Sequence, residues 1–244
     1  MGFDYLPEYG LSQEQIEAFL RYREMLLFWN TQINLTAITD PVEIEIKHFY
    51  DSLVLVNSAT WASSTKSDPE KKKAVHLRLA DVGGGAGFPG IPLKLVQTNL
   101  ALDTLEASKK KVGFLTALAQ EMQLDHVRAL HLRAEEAGQD RAYRGQYDWV
   151  LARGVATMPV LLEYCLPLLR VGAYFAAYKG PTGKAEALDG AKAEAVLGGK
   201  LVETVEAALP AGQGERMILI YQKIKETPKA YPRRPGIPAK EAIR

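Results

Sequence analysis

The sequence predicts an α/β protein: a seven-stranded, mostly parallel sheet with helices on both faces, preceded by a helical extension. Three observations carry this. Between residues 77 and 177, apolar strand-like runs alternate with helical segments. A glycine-rich loop joins the first of these strands to the helix after it. Two later runs are separated by a turn-like segment and read as an antiparallel hairpin, which sets the last strand against its neighbours.

Taken in order, Ser12-Gln13-Glu14-Gln15 has the pattern of a capping box, and Ile16, Phe19, Leu20, Leu26 and Leu27 follow at helical spacing to about Asn30. Asn34-Leu35-Thr36 reads as a connector. Asp40-Pro41 opens a second helix carrying Ile44, Ile46, Phe49, Leu53 and Leu55. Residues 58–73 are polar and charge-rich, contain Pro69, and are expected to form a linker. Residues 1–73 are thus a helical extension with its linker. Residues 74–224 hold the sheet, with strands expected at 77–82, 101–105, 127–132, 147–151 and 173–177 and helices at 91–97, 110–123 and 158–169. The hairpin strands are expected at 201–209 and 217–221, around Pro210-Ala211-Gly212-Gln213-Gly214. Residues 225–244 form a basic tail, with six basic residues (Lys225, Lys229, Arg233, Arg234, Lys240, Arg244) against Glu226 and Glu241.

Composition narrows the function. The 244 residues are 47% hydrophobic and 24% charged, enough for one full core. A net charge of +1 argues against a surface that is basic throughout, so contact with phosphates would rest on local clusters such as the tail. Cys165 is the lone cysteine, sits in an apolar stretch, and is expected as a buried thiol. The four histidines lack metal-ligand spacing, so no metal is expected. No apolar run approaches the ~20 residues that span a bilayer, and no signal-peptide pattern is present; a cytoplasmic location without membrane partners is expected.

The strongest local signal is Asp81-Val82-Gly83-Gly84-Gly85-Ala86-Gly87-Phe88-Pro89-Gly90, between an expected strand and an expected helix. Glycines there permit tight turning and close backbone approach to a ligand. Gly85, Gly87 and Gly90 fit a dinucleotide fingerprint, while Asp81, Gly83, Gly85 and Gly87 fit the loop of S-adenosylmethionine enzymes. Glu106, ending the second strand in Leu105-Glu106-Ala107-Ser108, is placed to accept from ribose hydroxyls. The helical extension and terminal hairpin favour S-adenosylmethionine over a nicotinamide cofactor, because both suit the Rossmann-like class I methyltransferase sheet.

At this point a family resemblance becomes visible. Trp29-Asn30 with Asn34-Leu35-Thr36, His48-Phe49-Tyr50-Asp51-Ser52-Leu53, Gly87-Phe88-Pro89-Gly90, Arg133-Ala134-Glu135 and Tyr231-Pro232-Arg233-Arg234-Pro235-Gly236 together resemble the bacterial small-subunit (16S) ribosomal RNA guanine-N7 methyltransferases, also called the glucose-inhibited division protein B family. The resemblance covers nearly the whole chain outside the polar insert at 63–73. It implies that Gly83, Gly85 and Phe88 line the S-adenosylmethionine site, that Glu106, with Ala107 and Ser108 beside it, binds the ribose, and that Ala134 and Glu135 meet the adenine. Arg153 would lie beside the cofactor and, with Lys179, position the RNA. Gly84, Gly154 and Tyr178 depart from the family's usual threonine or alanine, alanine, and methionine or leucine.

The implied reaction is direct in-line methyl transfer to guanine N7 in a loop of the RNA. N7 carries a lone pair and no proton, so no residue is expected as a general acid or base. Lys109, Lys110 and Lys111, together with Lys179, Arg233 and Arg234, are the expected phosphate contacts. His48 and Asp51, three residues apart, read as packing or docking residues rather than a catalytic pair. The implied partner is small-subunit ribosomal RNA or the small ribosomal subunit, bound by a monomer. A noncatalytic S-adenosylmethionine-binding ribosome-assembly factor is the alternative.

Overall fold

In the computed structural model, which describes residues 2–65 and 77–244, seven strands build one sheet. They are β1 (Leu77–Val82), β2 (Leu100–Glu106), β3 (Val127–His131), β4 (Tyr147–Arg153), β5 (Leu169–Lys179), β6 (Gly199–Ala208) and β7 (Glu215–Lys223), in the order β3-β2-β1-β4-β5-β7-β6. The first five pair in parallel. β7 inserts between β5 and β6 and runs antiparallel to both.

Helices α1 (Gln13–Asn30), α2 (Pro41–Ile44), α3 (Asp51–Leu53), α4 (Ala59–Thr65), α5 (Gly90–Val96) and α6 (Lys109–Glu121) precede or interleave with the first strands. Later come α7 (Ala134–Gln139), α8 (Met158–Cys165), α9 (Gly183–Asp189), α10 (Ala191–Leu197) and α11 (Ile237–Lys240). Successive strand residues point to opposite faces. Leu79, Trp149 and Ile218 therefore join one core with Phe19, Tyr22, Phe49, Ile91 and Phe114, while their neighbours Ala80, Val150 and Leu219 join a second with Met158, Leu161 and Leu197. The N-terminal helices share the first core directly with the sheet.

Several expectations need correction. The second helix is unbroken over 41–57 but changes its winding: after α2 it widens into a π-helical stretch at Glu45–Tyr50, resumes as α3 and tightens at Val54–Asn57. The wide turn accompanies burial of Glu45, whose carboxylate accepts from the N–H groups of Asp4, Tyr5 and Leu6. The expected linker begins as α4, because Trp61 is buried and Glu203 of β6 accepts from Ala59 N and Thr60 N at 3.0 Å each. The linker's remaining residues, 66–73, lie outside the described residues. α8 stops at Cys165, since Pro167 has no N–H to continue it, and β5 then begins at Leu169 rather than 173. Helices α7, α9 and α10 are not among those expected. Cys165 is buried, as expected, and the tail docks on α7 and α8 through Gln139, Glu135 and Glu163.

Candidate functional site

Strands β1, β2, β4 and β5 end at one rim of the sheet, and the glycine loop crosses it. Asp81, fully buried, braces the loop from below: its Oδ2 accepts from Gly90 N at 2.9 Å. Oδ1 is among the few buried polar atoms without a partner among the described residues, and burial pushes the carboxyl up to about 7. The Tyr22 hydroxyl donates to Ala86 O at 2.5 Å, tying α1 to the same loop. Gly83 and Gly85 take positive φ, 69° and 58°. A side chain on Gly85 would meet only Gly83 O, at 3.7 Å, so the loop turns bare backbone outward there.

Glu106 faces that bare backbone. Its carboxylate accepts from Gly85 N at 3.1 Å and from Ser108 N at 2.7 Å. Each oxygen keeps a lone pair for a further donor. Ala107 follows on the exposed side, and its carbonyl accepts from His131 Nε2 at 3.0 Å, which clips the ends of β2 and β3 together. Ala134 and Glu135 open α7 immediately after β3; both are buried, and Glu135 Oε1 accepts from Gly236 N at 3.0 Å.

Phe88 is packed inward rather than lining an open surface. His48 stacks on it at 4.5 Å, Tyr22 at 5.4 Å, and the Arg153 guanidinium lies over its ring at 5.0 Å. Arg153 itself donates to Asp51 Oδ2 at 2.8 Å, to Lys47 O at 3.1 Å and to His48 Nδ1 at 3.4 Å. Since a guanidinium only donates, His48 carries its proton on Nε2 and gives it to Thr36 Oγ1 at 2.7 Å. Burial, reinforced by the Arg153 charge, lowers the His48 pKa to about 3. Asp51 also receives Arg216 Nε at 2.7 Å, so His48 and Asp51 serve Arg153 rather than each other.

The charged side chains expected to meet RNA divide into two groups. Lys179 is committed: it donates to Glu186 at 2.7 Å and Ala156 O at 2.8 Å, with its side chain 9% exposed. Arg233 is held by Glu163, as described below. Each of these two charges already has a carboxylate partner. Lys109, Lys110 and Arg234 are exposed and Lys111 is half-buried, with the three lysines in the first turn of α6 beside Glu106. Among the departures, Gly154 takes φ 68°, which a residue with a Cβ adopts only under strain, and the buried Tyr178 donates to Ser52 O at 2.8 Å. Among the described residues no cluster of three or more His, Cys, Asp and Glu is placed to hold a metal, and no helix is long and apolar enough to cross a membrane.

The family profile described as GidB, rRNA small subunit methyltransferase G, matches residues 15–216. This chain belongs to that family. A ribosomal RNA small subunit methyltransferase G from Alkaliphilus metalliredigens is 44% identical over 97% of this chain and 94% of its own length. The protein of the same name from Lysinibacillus sphaericus is 43% identical over 96% of this chain and 93% of its own. Solved structures agree on the fold. A mutant of MtNAS superposes with a TM-score of 0.55 at 11% identity, covering 91% of this chain and 78% of its own. A Corynebacterium glutamicum protein does so with 0.51 at 17% identity, over 86% and 91%. The chain is therefore an rRNA methyltransferase of the GidB family, built on a Rossmann-like sheet.

The sequence marks Asp51 as a docking residue, but residue types alone do not reveal its partner Arg216, nor Glu163, which holds Arg233 of the tail. The only signal for Asp81 as a brace is its place at the head of the glycine motif.

Proposed function

We propose that this methyltransferase transfers a methyl group to N7 of a guanine in a loop of small-subunit (16S) ribosomal RNA, by direct in-line attack and without a general base. S-adenosylmethionine is its cofactor and supplies the electrophilic methyl. The observation that carries the cofactor reading is the Glu106 carboxylate facing the bare backbone of Gly85. There Glu106 and Ser108 hold the ribose, Gly83 and Gly85 allow close approach of the methionine part, and Ala134 and Glu135 flank the adenine.

The state of the ionisable groups supports chemistry without a base. His48 is neutral and already hydrogen-bonded through both nitrogens. Arg153 is held by Asp51, which it shares with Arg216, and Lys179 is paired with Glu186, so neither offers a base. Guanine N7 has no proton to lose, so the chain's work is to orient the base and exclude competing geometries. Arg153 does this from behind, by fixing Phe88 and the N-terminal helices at the rim. Lys109, Lys110 and Arg234 remain to meet phosphates. Because N7 lies on the edge that is deep and narrow in A-form RNA, the target must be unpaired or splayed out.

The test is transfer of labelled methyl from S-adenosylmethionine to small subunits lacking the modification, with the labelled base mapped. Label on N7 of a single guanine is expected. Label on an exocyclic amine, or cofactor binding with no transfer at any assembly stage, would overturn the proposal; the second result would favour a noncatalytic assembly factor.

A further inference from the structure

The tail contains a built contact that the methyl-transfer scheme does not use. Glu163 on α8 is completely buried, and its carboxylate takes Arg233 Nε at 2.9 Å, Arg233 Nη2 at 2.7 Å and the Arg233 backbone N–H at 2.8 Å. Arg233 Nη2 also donates to Glu241 O at 2.7 Å. Hydrogen bonding to Glu163 raises the guanidinium pKa above its ordinary value. A carboxylate enclosed this fully is costly without its partner, so the pair stays closed. Three residues on, Gly236 N donates to Glu135 at 3.0 Å.

Other contacts press the same segment down. Arg144 donates to Tyr231 O and Thr227 O at 2.7 Å each, and Gln139 Nε2 donates to Pro232 O at 2.6 Å. Pro232 lies so close to α7 that a Cβ on Gly138 would stand 2.6 Å from its ring. A cavity of about 590 Å³ remains between α7 and the tail, lined in part by Glu135, Gln139 and Arg234.

We propose that Arg233 is a positioning residue. Through Glu163 it clamps residues 231–236 against Glu135, and the clamped tail holds the adenosine end of the cofactor site in its binding shape. The inference rests on the reading above that Ala134 and Glu135 flank the adenine. It assigns the two adjacent arginines opposite tasks: Arg233 faces inward onto Glu163, and exposed Arg234 faces the RNA.

The experiment compares Arg233→Ala, Arg233→Lys, Gly138→Ala and Glu135→Ala in the full chain. S-adenosylmethionine affinity is measured by calorimetry, release of residues 227–241 by hydrogen exchange, and kcat and KM on small subunits. Arg233→Ala and Gly138→Ala are each expected to release the tail and raise the cofactor Kd roughly tenfold, with kcat at saturating cofactor within about twofold, because only the held geometry is lost. Arg233→Lys should recover part of the affinity. Gly138→Ala leaves both charges in place and suits a helix, so it decides the matter if Arg233→Ala does not fold. A released tail with unchanged cofactor affinity would overturn the proposal. So would a tail that stays protected in both variants, or a rise confined to the KM for RNA. Glu135→Ala separates the two readings. If it weakens cofactor binding while the tail variants do not, the clamp alone fails. If it changes nothing, the adenine assignment fails, and the clamp with it.

Discussion

His48 is packed between Thr36, Arg153 and the ring of Phe88, and that place costs it proton affinity. The unfolded chain takes up a proton near pH 6.5, whereas the folded protein does so only near 3, so this group's contribution to stability falls as pH drops through that window. Between pH 6.5 and 5 the loss should be about 2 kcal/mol, against a His48→Gln variant that lacks it, measured by urea unfolding at both pH values. Asp81 acts with the opposite sign. Its folded pKa of about 7 lies above the ordinary 3.8, so folding is favoured as pH falls from 7 towards 4. An Asp81→Asn variant, which keeps an acceptor for Gly90 N, should therefore gain stability relative to the parent at pH 8 and little at pH 5. Thermal unfolding at the two pH values checks this. Neither effect is readable from the sequence, because both depend on burial and on Arg153, which lies 105 positions from His48.

At the scale of elements, Asp51 pins the N-terminal helices to β4 through Arg153 and to the start of β7 through Arg216. Asp51→Ala would leave two half-buried arginines facing each other and should destabilise the protein by about 3 kcal/mol in urea unfolding. Glu203→Ala should cost about 1 kcal/mol by uncapping α4, seen by the same measurement. The sheet was legible in advance because alternate residues such as Leu79 and Ala80 must feed two different cores. The capping box at Ser12 was legible too, since it is written within four residues and both of its bonds form. What stayed hidden depends on distant partners. Helix α4 needs a carboxylate 143 positions away, and the carboxylate that Arg233 covers, Glu163, lies 70 positions earlier. Helix α7 has six residues, too few for a helical period to show.

The whole molecule carries nearly balanced charge, +1 over 244 residues, so RNA affinity must come from local cations rather than an overall field. Lys109 and Lys110 stand exposed on one side of the glycine loop, and Arg234 stands on the tail. Each alanine substitution at these positions should lower the slope of log affinity against log salt by about 0.7 to 1, with cofactor affinity unchanged; filter binding across a salt series measures it. Lys179→Ala should leave that slope nearly intact, because its charge is already paired with Glu186. The strand order has a further consequence during synthesis. β6 leaves the ribosome before β7, yet β7 is the strand that joins β6 to β5. Until the nine residues of β7 arrive, the outer edge of β5 and the backbone of β6 lack their partner, and a product cut short at Gly214 keeps both open. Such a fragment should pair with its own copies, so the last strand also closes a gap between β5 and β6 that would otherwise invite association.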